Sequence, residues 1–144
     1  MSNYPKSAII DTCFILALYD ARDSYHKQAI EKADILESLN IIIPWPCLYE
    51  TLNTRLVKNK KSLSMVEKFL KKPQIIFISD NEYKMHAYSK TFEYALIKER
   101  KISLTDMVIR YMLEDTNLRI NALFTFNTSD FFDVCQKYQI EIVL

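Results

Sequence analysis

Not one glycine occurs in the 144 residues, where average usage would supply roughly ten. Walker A loops and G-x-G-x-x-G dinucleotide fingerprints need glycine so that bare backbone can approach phosphate, and neither motif is present. Cysteine is sparse too: Cys13, Cys47 and Cys135 are odd in number and form no C-x-x-C pair. That disfavours both a disulfide framework and a zinc knuckle, and makes a reducing cytosol the natural home. No basic segment followed by an apolar stretch and a small-residue cleavage site opens the chain, and no apolar run approaches the ~20 residues of a membrane span. The expectation is a soluble, cytoplasmic protein without a membrane association. Charge of either sign is also nearly absent in the balance, 19 basic against 18 acidic residues for a net +1. Bulk electrostatics therefore neither demand nor exclude a nucleic-acid partner, and any such binding must come from local patches.

What is present is an alternation of two periodicities. At this length residues 1–144 are expected to form one domain that removes roughly 68 to 70% of its unfolded surface from water. Ser7-Ala8-Ile9-Ile10, Ile41-Ile42-Ile43, Ile75-Ile76-Phe77-Ile78, Ala122-Leu123-Phe124 and Ile140 to Leu144 are short apolar runs that read as strands. Between them lie helical patterns: Cys13 to Tyr19, Asp23 to Leu39 with Asp23 or Ser24 as cap, and a segment opened by Pro46 with Leu48, Leu52 and Leu56 in one stripe. Asp80 to Lys98 follows, with Tyr83, Ala87, Tyr88, Phe92 and Ala95 facing inward, then Ser103 to Leu113 and Phe131 to Tyr138. Such alternation predicts an α/β fold with a mostly parallel central sheet flanked by helices.

Four acids stand at chemically suggestive places in this order. Asp11 ends the first strand, where open α/β sheets place ligands, and equally it can cap the following helix. Asp106 lies in a helix apolar on almost every face, which makes its charge costly unless compensated. Ser103-x-x-Asp106 also fits a capping box, with Arg110 one turn on as an ion-pair partner. Glu50 projects away from the leucine stripe, toward solvent or a water-filled cleft. Asp130 closes the polar loop Asn127-Thr128-Ser129-Asp130 after the fourth strand. If these carboxylates meet, their mutual repulsion requires protons or cations, and hard oxygen ligands select Mg²⁺ or Mn²⁺. His26 and His86 have no neighbouring ligand and read as structural. Arg55, Lys58, Lys60, Lys61, Lys68, Lys71 and Lys72 make the middle of the chain its most basic region, a solvated face or a phosphate-backbone track.

Taken together the sequence resembles the PIN-domain family, particularly the VapC-type ribonuclease toxins. The resemblance is carried by the apolar strand ending in Asp11-Thr12, by Asp23-x-x-His26-x-x-Ala29 and by Glu50 after a strand and proline-bearing turn. It continues in Ser103-Leu104-Thr105-Asp106 and Thr125-Phe126-Asn127-Thr128-Ser129-Asp130-Phe131. It implies a Rossmann-like PIN fold, a metal-dependent ribonuclease, and Asp11, Glu50 and Asp106 as core acids around Mg²⁺ or Mn²⁺. Asp130 is carried over as the fourth acid, with Thr12 and Asn127 in support. Many relatives have an acid where this chain has Asn127. An RNA substrate, an antitoxin encoded beside the toxin and a homodimer are further implications. The rival expectation is a degenerate module of the same fold that binds RNA or protein without cutting. A receiver-like or phosphatase-like domain is disfavoured, since Asp11-Thr12-Cys13 supplies no D-x-D after the first strand.

Overall fold

The computed structural model describes residues 6–144. Five strands, β1 (Ser7–Ile10), β2 (Asn40–Pro44), β3 (Ile75–Ile78), β4 (Ile120–Phe124) and β5 (Glu141–Val143), form one sheet in the order β3-β2-β1-β4-β5. All pairs are parallel. The central strands are buried nearly throughout, which is why Ile9, Ile10, Ile41, Ile43, Leu123 and Phe124 follow no polar alternation. The edge strand β3 leaves Ile76 and Phe77 partly exposed.

The connections are helical: α1 (Thr12–Tyr19), α2 (His26–Glu31) and α3 (Ala33–Leu36) link β1 to β2, while α4 (Trp45–Thr51) and α5 (Lys60–Leu70) link β2 to β3. Helices α6 (Lys84–Leu96) and α7 (Leu104–Glu114) carry the chain from one edge to β4 on the far side of β1, and α8 (Phe132–Lys137) precedes β5. Successive strands thus depart from β1 in opposite directions, toward β2 and toward β4. The crevice beyond the carboxyl ends of β1 and β4 is the switch point at which sheets of this kind bind ligands.

Several sequence expectations need correction. The helix expected over Asp23–Leu39 is two short helices broken at Lys32 (φ −100°, ψ −2°). Neither Asp23 nor Ser24 caps it; Asp23 Oδ1 instead accepts the Tyr25 amide at 2.9 Å in a tight turn, and Tyr25 is the cap residue. The helix expected from Asp80 begins at Lys84, after a turn closed by Asp80, and of its inward-facing set Tyr88 (54% exposed) and Phe92 (53%) lie outside. Ala87 is fully buried on that helix. Helix α4 ends at Thr51, so of the expected stripe it holds only Leu48; Leu52 is exposed just after its end, and Leu56 is buried in a separate short turn over Arg55–Lys58. Helix α7 is buried as its composition predicts, through Met107, Val108, Ile109, Met112 and Leu113. Leu104, at its first position, stays partly exposed.

His26 has the structural role expected of it, with Nδ1 2.7 Å from the Ala17 carbonyl. The lack of glycine shows at Glu99, Arg119 and Gln139, which take left-handed backbone at φ 53°, 53° and 56°, a region that side chains with a Cβ enter at some energetic cost. No helix among the described residues is long and apolar enough to cross a membrane.

Candidate active site

Beyond the carboxyl end of β1, Asp11 is buried and stands at the start of α1. Its Oδ1 accepts the Thr12 amide at 2.8 Å, so it does cap the helix, and its Oδ2 accepts the hydroxyl of Thr125 at 2.9 Å. Thr125 is the residue after β4, brought beside Asp11 because Ile10 and Phe124 are register partners. Burial raises the Asp11 pKa; the bonds from Thr125, Thr12 and Cys13 oppose that rise, and the charge of Glu50 adds to it. Thr12 also ties α1 to α4, its hydroxyl donating to the Cys47 carbonyl at 3.3 Å.

The Thr125 hydroxyl also accepts the Asn127 amide N–H at 3.0 Å. From there the Asn127 side chain reaches two more acids, Nδ2 donating to Asp106 Oδ2 at 3.0 Å and to Asp130 Oδ2 at 2.7 Å. Asp11, Asp106 and Asp130 are therefore joined through only two intervening residues, although 119 positions separate the first acid from the last (130 − 11).

Asp106 sits in the first turn of α7, where the Ser103 hydroxyl accepts its amide at 3.2 Å. Half of the predicted capping box is thus present; the Asp106 carboxylate turns to Asn127. Its pKa is pushed up to about 8, first by burial, then by the charge of Asp11, by the hydrogen bond with Asp130 and by the charges of Asp130 and Glu50. Three acids near one another in poorly solvated surroundings cannot all ionise cheaply.

Arg110 does not pair with Asp106 as its spacing suggests. It is buried, donates through Nη1 and Nη2 to Asp133 at 2.8 and 2.9 Å, and through Nη1 to the Asp130 carbonyl at 2.8 Å. Arg100 joins the same carboxylate and donates to the Ser129 carbonyl at 2.8 Å. Two arginines thus pin the short turn Thr128–Asp130 that presents Asp130.

Glu50 stands apart from this network. It is exposed on α4, and its charge is felt by both Asp11 and Asp106. Among the described residues no three His, Cys, Asp or Glu side chains are grouped as a ready metal cage. The donor chemistry nevertheless suits a hard divalent cation: the converging carboxylates are hard oxygen donors, and their repulsion is what such an ion relieves.

Sequence reasoning missed two thiols. Cys13 Sγ lies 3.5 Å from Asp11 Oδ2, and Cys47 Sγ 4.0 Å from Asp11 Oδ1. Cys13 is beside Asp11 because it lies two residues on in the first turn of α1, whereas Cys47 is brought there by the packing of α4 on α1, to which no local motif corresponds. The clue to Thr125 was its position at the end of an apolar strand.

The fold that carries these groups is that of the PIN domain. Its likeness to a solved structure is plain: the VapC20 toxin of Mycobacterium tuberculosis, described as cleaving the sarcin-ricin loop, superposes with a TM-score of 0.68. The match covers 88% of this chain and 94% of that one at 14% sequence identity. No protein-family model matches the sequence, and no curated protein is detectably similar to it.

Proposed function

We propose that this protein is a metal-dependent ribonuclease that hydrolyses RNA phosphodiester bonds, acting in the cytoplasm as the toxin of a toxin-antitoxin pair. The observation that carries the reading is the convergence of Asp11, Asp106 and Asp130 at the switch point of a PIN fold, with Glu50 close enough to be felt. Asp11, Asp106 and Asp130 would hold Mg²⁺ or Mn²⁺, with Glu50 as a further ligand or as the group that orients the water. Bound there, the ion would acidify a water and offset charge building on the phosphate oxygens.

The chain's own residues set up that chemistry. The Thr12 amide and Thr125 hydroxyl fix both oxygens of Asp11, so its orientation is decided before substrate arrives. Arg110 and Arg100 hold the turn that offers Asp130. Glu50, solvent-facing on α4, would accept a proton from water.

The test is cleavage of RNA by the purified protein with Mn²⁺ or Mg²⁺ and with EDTA, the sarcin-ricin loop being the first target to try. Asp11→Asn and Asp106→Asn should each abolish cleavage while leaving the circular dichroism spectrum intact. Undiminished activity in both variants would overturn the proposal.

A second reading, a non-cutting module that binds RNA or protein, has one observation in its favour. Asn127 stands where many relatives carry an acid, and its amide already answers two carboxylates. A metal titration that shifts none of the acids' resonances would favour that reading. An antitoxin partner and a homodimer belong to the toxin proposal and are tested by co-purification and by sedimentation.

A further inference from the structure

The basic run after Glu50 folds into a hollow. Arg22, Arg55, Lys58, Asn59, Lys60 and Lys61 line a wide depression of about 720 Å³, so five of its six walls are cations. Two of the five are anchored by Asp20, which is buried at the carboxyl end of α1. Arg55 meets Asp20 Oδ2 through Nε; Arg22 donates its amide to Oδ1 at 3.0 Å and brings its own Nε within 3.6 Å. These contacts, the one with Arg55 foremost, hold the Asp20 carboxyl below its usual range. Because Nε makes the contact, both terminal nitrogens of Arg55 stay available for a forked bond to an oxyanion.

Lys58, Lys60 and Lys61 form no ion pair among the described residues. Elsewhere on this surface Lys71, Lys72 and Lys90 are matched with Glu67, Glu37 and Glu93. Five cations against the one carboxylate of Asp20 leave four positive charges in a concave space, on a chain whose total is +1. An anion in the hollow relieves that repulsion.

Its position matters as much as its charge. Helix α1 joins the hollow to the acids, with Asp11 at one end and Asp20 at the other; eight residues at 1.5 Å each span roughly 12 Å. Glu50 and Arg55 are likewise close along one continuous segment. A strand that runs along α1 from a phosphate at the acids lays phosphates farther along it over the cations. We propose that this hollow clamps the phosphate backbone of the RNA substrate, beside the site that cuts it; the inference rests on the ribonuclease reading above. An acidic protein segment would match the charge, but protein interfaces draw their energy from aromatic and apolar anchors, and none lines this hollow.

The experiment measures binding of a short fluorescent single-stranded RNA in EDTA, by anisotropy, over a range of salt. Three proteins are compared: wild type, the triple variant Lys58→Gln/Lys60→Gln/Lys61→Gln, and Lys68→Gln as a basic control outside the hollow. The triple variant should bind about tenfold or more weakly at low salt. Its slope of log affinity against log salt should fall by roughly two, at ~0.7 per lost phosphate contact on a single strand. Lys61→Gln alone should lower the slope by about a third of that fall, which keeps the test sound if the triple variant folds poorly.

Wild-type affinity and slope in the triple variant would overturn the clamp. So would polyglutamate displacing RNA from the wild type as readily as RNA does, since that would mark a site for acidic protein. Cleavage separates the two proposals. If the hollow binds RNA but no metal makes the protein cut, the nuclease reading fails and the clamp stands. If the triple variant cuts with unchanged kcat and KM, the clamp fails and the nuclease reading stands.

Discussion

The amide nitrogen of Asn127 bridges two acids from different elements, 3.0 Å from Asp106 on α7 and 2.7 Å from Asp130 in the turn before α8. One neutral side chain thereby does part of the work of a cation, offering positive hydrogens to both. Asn127→Asp removes those donors and adds a negative charge. In EDTA this variant should be less stable by about 1 kcal/mol, the low end of the penalty for unsatisfied acceptors, because both carboxylates are only part-buried. On the metal proposal Mn²⁺ should restore it and bind it more tightly than wild type, whereas Asn127→Ala should lose stability without the added gain. Thermal melts with EDTA and with Mn²⁺ distinguish the two.

The acids also predict how stability responds to pH. Asp106, ordinarily near 3.8, is pushed up to about 8 in the folded protein, so between those values the fold holds a proton that the unfolded chain has released. Raising pH through that window therefore favours unfolding. In EDTA the urea midpoint should fall from pH 4 toward pH 8, and Asp106→Asn should flatten the fall. Asp133 works in the opposite sense and in another window. Arg110 holds it well below 3.8, so its contribution is present above about pH 4 and is lost as pH drops further.

Arg110 is 5% exposed and depends on Asp133, which is itself half in water. Removing the acid leaves a buried guanidinium with the Asp130 carbonyl as its remaining hydrogen-bond partner. Asp133→Ala should destabilise by about 2 kcal/mol, less than the 3–5 of a fully buried pair because solvent reaches the gap. Since Arg110 also holds the Asp130 carbonyl, cleavage should weaken beyond what lost stability explains. A urea titration alongside single-turnover rates at saturating metal separates the two effects.

The three thiols should be inert in the folded state. Burial pushes Cys13 up to about 12, with Asp11 adding to the shift, and Cys135 up to about 11; Cys47, deeper still, also rises. Because the thiolate is the reactive form, iodoacetamide at pH 8 should leave all three unmodified until denaturant is added. Mass spectrometry counts the adducts. Rapid labelling of Cys13 in native protein would contradict the packing around Asp11.

Much of this architecture was legible in the chain. The apolar runs at Ala8–Ile10, Ile41–Ile43 and Leu123–Phe124 are strands because burial on both faces leaves no polar alternation, and that signal is local. Strand order is not local: β4 joins β1 across more than a hundred residues, and the crossing is decided by how helices cover the two faces. The same limit explains Arg110. Spacing of four offered it Asp106, but that acid turns toward Asn127, and the partner found was Asp133 on another helix. The break at Lys32 was hidden because Ala29, Ala33 and Leu36 keep a helical rhythm on either side of it. Each of Asp11, Asp106 and Asp130 could be named from its place beside a strand end or helix start. That Thr125 and Asn127 would wire them together could not, since it follows from the register of Ile10 against Phe124.

The left-handed turns at Glu99, Arg119 and Gln139 have one further implication. Where other proteins put a residue without a Cβ, this one has long side chains whose Cβ crowds the backbone. Glycine substituted at any of the three would relieve that crowding.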